Sequence, residues 1–201
     1  MAVSLRKGQK VDLTKTNKGL QNIMVGLGWD PIEPKKGFWS NLFSSGNQEI
    51  DCDASVLLLD SVGKLRQLEH VVYYDQLKSP CGSVRHQGDN ITGDGEGDDE
   101  QISIALNQIP QNIHRLVFIV NIYDGQKRKQ DFGLIQNAFI RVVNPESNQE
   151  LLRFNLTENY AGKTALIVGE VFRQDNEWHF EAIGQGTNDA MLINVVRRYQ
   201  E

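Results

Sequence analysis

Short runs of β-branched, aromatic and aliphatic residues, each closed off by turn-forming residues, recur along most of this 201-residue chain and leave little room for helices. Segments 22-NIMVGLGW-29, 55-SVLLLD-60, 70-HVVYYD-75, 102-ISIALN-107, 115-RLVFIVNIYDG-125, 137-NAFIRVVN-144, 151-LLRFNL-156, 165-ALIVGEVFR-173 and 177-EWHFEAIG-184 all have this character. Such side chains suit a pleated, covered surface, so each segment is predicted to be a strand. The short link 174-QDN-176 makes the last two a hairpin, and Pro145 marks a second reversal between Asn144 and Asn148. Several segments are apolar on consecutive residues, which requires cover on both faces. Others alternate: Phe139, Arg141 and Val143 take one face, and Ala138, Ile140 and Val142 the other. Helical spacing is confined to the end of the chain, where Met191, Leu192, Val195, Val196 and Tyr199 form a packing stripe after Asn188 as cap, and to a turn over Gln130–Ile135. The expected fold is all-β: a β-sandwich of two antiparallel sheets with a C-terminal helix and few short helices. Residues 1–201 are expected to form a single domain, with an insertion at about 33–47 bounded by proline, serine and glycine.

Composition narrows the function classes. Hydrophobic residues make up 39% of the chain, enough for a substantial core, and the net charge is -5 with no basic tract to attract phosphates. Lys127, Arg128 and Lys129 read as a solvated turn, so no nucleic-acid partner is expected. The segment MAVSLRKGQKVDL lacks the apolar centre of a secretion signal, and the longest apolar run, 116-LVFIVNIY-123, is too short to span a bilayer. A cytoplasmic protein without membrane insertion is therefore expected. Cys52 and Cys81 are too few for a disulfide framework and are not a CxxC pair; Cys52 reads as a small buried hydrophobe.

The segment 88-GDNITGDGEGDDEQ-101 gathers Asp89, Asp94, Glu96, Asp98, Asp99 and Glu100 with no intervening Lys or Arg. Two like charges at about 4 Å repel by roughly 1 kcal/mol in water and about 4 kcal/mol at an effective dielectric near 20. An ordered loop of this composition therefore needs a cation, and a solvated acidic turn is the plain alternative. Gly93, Gly95 and Gly97 allow carboxylates and carbonyls to turn toward one centre, and the Asn90 amide and Thr92 hydroxyl add further oxygens. Such hard donors suit calcium, which takes six to eight oxygens, better than zinc. An EF-hand is excluded by spacing, since its sixth position would be Asp99 where glycine is required. In 49-EIDCDAS-55 a second set, Glu49, Asp51 and Asp53, alternates on one strand face while Ile50, Cys52 and Ala54 take the other. Two such segments in one domain are expected to face each other across a site.

The motifs 24-MVGLGWD-30, 51-DCDAS-55, 88-GDNITGDGEGDDE-100, 131-DFGLIQNAFIRVVN-144 and 184-GQG-186 resemble, in this order, those of the TerD family of tellurium-resistance and stress proteins. The resemblance runs from Val3 to about Gly186. It implies a two-sheet sandwich that binds calcium, at paired sites and hence two ions, in the bacterial cytoplasm, within operons conferring resistance to tellurite, other toxic agents or phage. Other stress and tellurium-resistance proteins are the implied partners, and no catalysis is implied. Its metal-binding motifs fall on Asp51 and Asp53 and on Asp89, Asn90, Thr92, Gly93, Asp94, Glu96, Asp98, Asp99 and Glu100, with Asp30 a further ligand at a strand end. Cys52 departs from the larger apolar residue of the family pattern, and the 33–47 stretch is longer and more aromatic.

Two other classes bear weighing. A metal-assisted phosphoesterase would use the same acids, but the four histidines are scattered and no GxSxG, P-loop or HExxH occurs. A small-ligand-binding protein is compatible with the sequence and positively indicated by nothing in it. In the insertion, Phe38, Trp39, Leu42 and Phe43 fall on one side of a short helix that either caps the sandwich near Asp30 or docks a partner.

Overall fold

Backbone hydrogen bonding sorts the strands of this computed structural model, which describes residues 2–32, 50–88 and 97–200, into two stacked sheets. In chain order the strands are β1 (Val3–Leu5), β2 (Lys10–Asp12), β3 (Asn22–Pro31), β4 (Cys52–Leu59), β5 (Val71–Val72), β6 (Val84–His86), β7 (Glu100–Ala105), β8 (Arg115–Ile122), β9 (Ile135–Asn144), β10 (Gln149–Asn155), β11 (Ala165–Gln174) and β12 (Glu177–Thr187). The first sheet runs β1-β10-β9-β3-β7-β6 and the second β2-β12-β11-β8-β4-β5. All neighbours are antiparallel except β1, which lies parallel to β10. The sandwich is thus all-β as expected, with one sheet mixed. Consecutive strands β1 and β2 close one side, and the short edge strands β5 and β6 meet on the other.

Alternation decides which residues form the core. On β3, Ile23, Val25, Leu27 and Trp29 are buried between the sheets, so Gly26, Gly28 and Asp30 face outward. On β4, Cys52, Ala54, Val56 and Leu58 point inward. The opposite face of β4 is also apolar: Leu57 and Leu59 join Val117, Ile119, Ala165 and Ile167 in a second cluster covered by Val195 and Val196 of the C-terminal helix α2 (Leu192–Arg197), the second of two short α-helices among the described residues. That second layer accounts for the strands that are apolar on consecutive residues. The first, α1 (Gly125–Arg128), holds Lys127 and Arg128 where a turn was expected.

Several expectations need correction in detail. Only Val71 and Val72 of 70–75 form a strand, because Tyr73 and Gln76 exchange backbone hydrogen bonds of 3.1 and 3.0 Å and turn the chain back. Met191, expected in the packing stripe, is the residue before α2 and is exposed, and no side chain caps that helix. The turn expected over Gln130–Ile135 is a 3-10 helix, Phe132–Leu134, capped by Asp131, whose Oδ1 accepts from the Gly133 N–H at 2.7 Å. β1, β2 and β6 are too short to carry a periodic signal. The 33–47 insertion, with Phe38, Trp39, Leu42 and Phe43, lies outside the described residues.

Phe118 and Phe180 are among the largest fully buried side chains, both within the core between the sheets. Replacing either with Ala is expected to cost about 3–5 kcal/mol. Urea unfolding checks this; a loss below about 1 kcal/mol at both positions would contradict the packing described.

Candidate metal centre

The site starts from the inward turn of Cys52 and Ala54, which leaves Asp53 on the other face of β4. There its cross-strand neighbour is Asn121 of β8, whose Nδ2 donates to Asp53 Oδ2 at 3.3 Å. Both side chains belong to buried residues, and Asn121 Oδ1 has no hydrogen-bond partner among the described residues. Asp51 is held through its backbone, its carbonyl accepting from Tyr123 N–H at 2.8 Å, and its carboxylate lies 3.9 Å from Arg128 Nη1. The Arg128 guanidinium in turn covers the Tyr123 ring at 5.3 Å.

The second acidic segment reaches β4 from the other sheet. Glu100 opens β7 on the inward face and is 1% exposed. Because β5 pairs only with Val56 and Leu57, the Ala54 N–H lies on a stretch of β4 edge that no strand among the described residues covers. Glu100 Oε2 accepts from that N–H at 2.6 Å, joining the two sheets through one carboxylate. The same oxygen lies 3.2 Å from Nε2 of buried His86 on β6. Gly88 N–H donates to His86 Nδ1 at 3.2 Å, so Nδ1 is the acceptor and the proton on Nε2 faces Glu100.

Asp99 and Asp98 are tied to β3 instead. Asp99 N–H donates to the Leu27 carbonyl at 2.8 Å, and Asp99 Oδ2 accepts from Trp29 N–H at 2.7 Å. The Asp98 side chain, fully buried, lies over Gly26: a Cβ there would stand 2.2 Å from the Asp98 carboxyl carbon. Beside it a Cβ on Gly28 would stand 2.8 Å from the Gly97 carbonyl oxygen and 2.4 Å from the Phe139 ring. Both oxygens of Asp98 are engaged by Arg141 of β9, Nε to Oδ1 at 2.6 Å and Nη2 to Oδ2 at 2.9 Å, and Gln101 adds a bond of 3.1 Å to Oδ2. Hydrogen bonding to Asp98 pushes the Arg141 pKa above its ordinary value.

The sequence-predicted ligands thus fall into three groups. Asp51, Asp53, Asp99 and Glu100 all act on the Cys52 thiol: burial first, then the negative charges of Asp53, Asp51, Glu100 and Asp99, push its pKa well above the usual value. Asp98 and Asp30 stand apart on the outer face of the first sheet, Asp98 in its fork with Arg141 and Asp30 accepting from Asn137 Nδ2 at 2.8 Å. Asp89, Asn90, Thr92, Gly93, Asp94 and Glu96 lie outside the described residues, as does Glu49. Among the described residues, no three His, Cys, Asp or Glu side chains converge closely enough to hold a metal ion by themselves. The acidic side chains of the two segments offer hard oxygens, while Cys52 points inward to the core. His86, Asn121 and Arg141 were not among the sequence candidates. The alternation of β9 puts Arg141 on one face with Phe139 and Val143, but its partner 43 positions away in sequence is not visible there.

The TerD domain family model matches residues 1–199. The chain belongs to the TerD family. It is 56% identical over 199 residues to the stress response protein SCP2 of Bacillus subtilis (strain 168), covering 99% of this chain and 100% of the relative. It is 43% identical over 186 residues to the tellurium resistance protein TerD of Serratia marcescens, covering 92% and 91% of the two chains. The crystal structure of a protein of unknown function, SAV2460, shares the fold with a TM-score of 0.65 at 26% identity, covering 86% of this chain and 92% of that one. The protein is therefore a member of a stress-response and tellurium-resistance family.

The two cysteines of this TerD-family chain differ sharply. Cys81 is exposed, with Sγ 3.3 Å from Ser79 Oγ and 3.0 Å from Ser83 Oγ. Burial opposes its ionisation, but the hydrogen bonds with Ser79 and Ser83 outweigh it and lower the thiol pKa. Alkylation near neutral pH is expected to modify Cys81 quickly in the folded protein and Cys52 only on unfolding. Peptide mapping of the labelled protein checks this; rapid labelling of Cys52 would contradict the buried acidic edge.

Proposed function

We propose that the protein is a calcium-binding module of the cytoplasmic stress response, working by binding or scaffolding partner proteins and not by catalysis. Asp51, Asp53 and Asp99 are the described carboxylates proposed to face the ion, with Asn121 Oδ1 as a neutral oxygen and Glu100 as the brace between the segments. The observation that carries this reading is the 2.6 Å bond from Ala54 N–H to Glu100, which brings one acidic segment to the strand that bears the other. A second observation supports it: the Asn121 side-chain oxygen beside Asp53 is buried and has no hydrogen-bond partner among the described residues. Calcium accepts carboxylates, amide oxygens and water in an irregular shell, a demand this mixed set of oxygens suits. The occurrence of stress and tellurium-resistance proteins among the relatives supports the setting, as does the lack, among the described residues, of any helix long and apolar enough to cross a membrane.

What the ion supplies is neutralisation: it offsets carboxylate repulsion in the folded state alone, so binding and folding are linked. At free calcium 100-fold above its dissociation constant, linkage adds about 2.7 kcal/mol for one site. For a chain of this size that is a rise of about 5–10 °C in melting temperature. Magnesium is expected to do less, since it demands a small octahedral cage and retains its water. Asp53→Asn is expected to weaken the calcium response. Thermal melts with calcium, magnesium and chelator check these outcomes; a melting temperature indifferent to calcium and chelator would end the reading.

A further inference from the structure

Residues 97–99 are fastened to β3. Gly97 and Asp98 lie over Gly28 and Gly26, and Asp99 bonds to Leu27 and Trp29. The fastening converges on one side chain of the neighbouring strand. Arg141 sits opposite Gly26 in the β3–β9 register, and its guanidinium is fixed on two sides, by Asp98 and by Glu150, to which Nη1 donates at 3.2 Å.

We propose that Arg141 is a positioning residue for the calcium site: its fork on Asp98, seated against Gly26, sets the register in which Asp99 is held on β3 and Glu100 reaches the edge of β4. The inference rests on the calcium reading above and adds to it how the affinity is set. The need for a register device is geometric. Asp98 is held on the outer face, whereas Glu100 two residues later points inward to Ala54, so a slip of one residue would exchange the roles of neighbouring acids. Only a residue without Cβ admits the Asp98 carboxylate at position 26, and only a planar fork engages both of its oxygens at once.

The sign of the effect separates this from the simpler idea that Asp98 is itself a calcium ligand. A cation bonded to a ligand competes with calcium, so its removal would raise affinity. A cation that positions the ligands would, on removal, lower it. The test is calorimetric calcium titration of the full chain as wild type, Arg141→Gln, Arg141→Lys and Gly26→Ala, with amide hydrogen exchange of Asp99 and Trp29 in chelator. Calcium affinity is expected to fall by about 10–100-fold in all three variants, the range typical of lost supports behind metal ligands. Arg141→Lys is expected not to rescue it, and the Asp99 and Trp29 amides are expected to exchange faster without calcium. Should Arg141→Gln not fold, Gly26→Ala carries the test, because it displaces Asp98 while keeping every charge. Unchanged or tighter calcium binding in Arg141→Gln or Gly26→Ala would overturn the proposal. If the wild type takes no calcium, the calcium reading fails separately, and unchanged amide exchange in the variants would overturn the positioning role as well.

Discussion

One buried carboxylate holds the acidic edge together. Glu100 leaves the first sheet at the start of β7 and ends on the backbone of the second, where the Ala54 N–H would otherwise face an edge that β5 is too short to cover. A buried N–H without a partner costs about 1–3 kcal/mol, and a buried charge costs several kcal/mol unless hydrogen bonded. The two groups answer each other, and His86 presents a second proton to the same oxygen. The bond therefore fixes how closely the sheets approach at this end.

Charge is then divided between the two faces of the chain that follows Gly97. Asp98 goes to the outer face and is neutralised by Arg141 in a fork that Glu150 steadies from the other side. Asp99 stays on β3 through Leu27 and Trp29, Glu100 turns to the edge of β4, and the charges of both add to those of Asp51 and Asp53 in holding the Cys52 proton on its sulfur. A segment of like charges is thereby split into an arginine-paired anchor and a group that gathers at one edge. The glycines at 26 and 28 make the split sterically open, because the acidic segment lies directly against β3 where any side chain would intrude.

Much of the sandwich was legible because its determinants are local. Alternation sets Cys52 and Ala54 opposite Asp53 on β4 and Ile140 and Val142 opposite Arg141 on β9, and the 174-QDN-176 turn joins β11 and β12. The pattern failed where structure is decided at a distance. β1, β2 and β6 are only three residues long and exist because a neighbour offers an unpaired edge. Tyr73 continues an apolar run yet leaves the sheet, since its backbone bonds to Gln76 instead. At the site, counting carboxylates found the two segments but treated Asp98 like its neighbours. Its pairing with Arg141 depends on β9 lying beside β3, which is a fact of topology. His86 carries no signal in the sequence, because nothing in its immediate neighbours announces Glu100.

The central claim is that carboxylates from the two acidic segments serve one ion. A double-mutant cycle on calcium affinity, with Asp53→Asn from the first segment and Asp99→Asn from the second, tests it most directly. Ligands of a shared ion are coupled, so the double variant is predicted to lose clearly less or more affinity than the sum of the single losses. Additive losses, within about 0.5 kcal/mol, would show that the two segments act independently and would contradict the account.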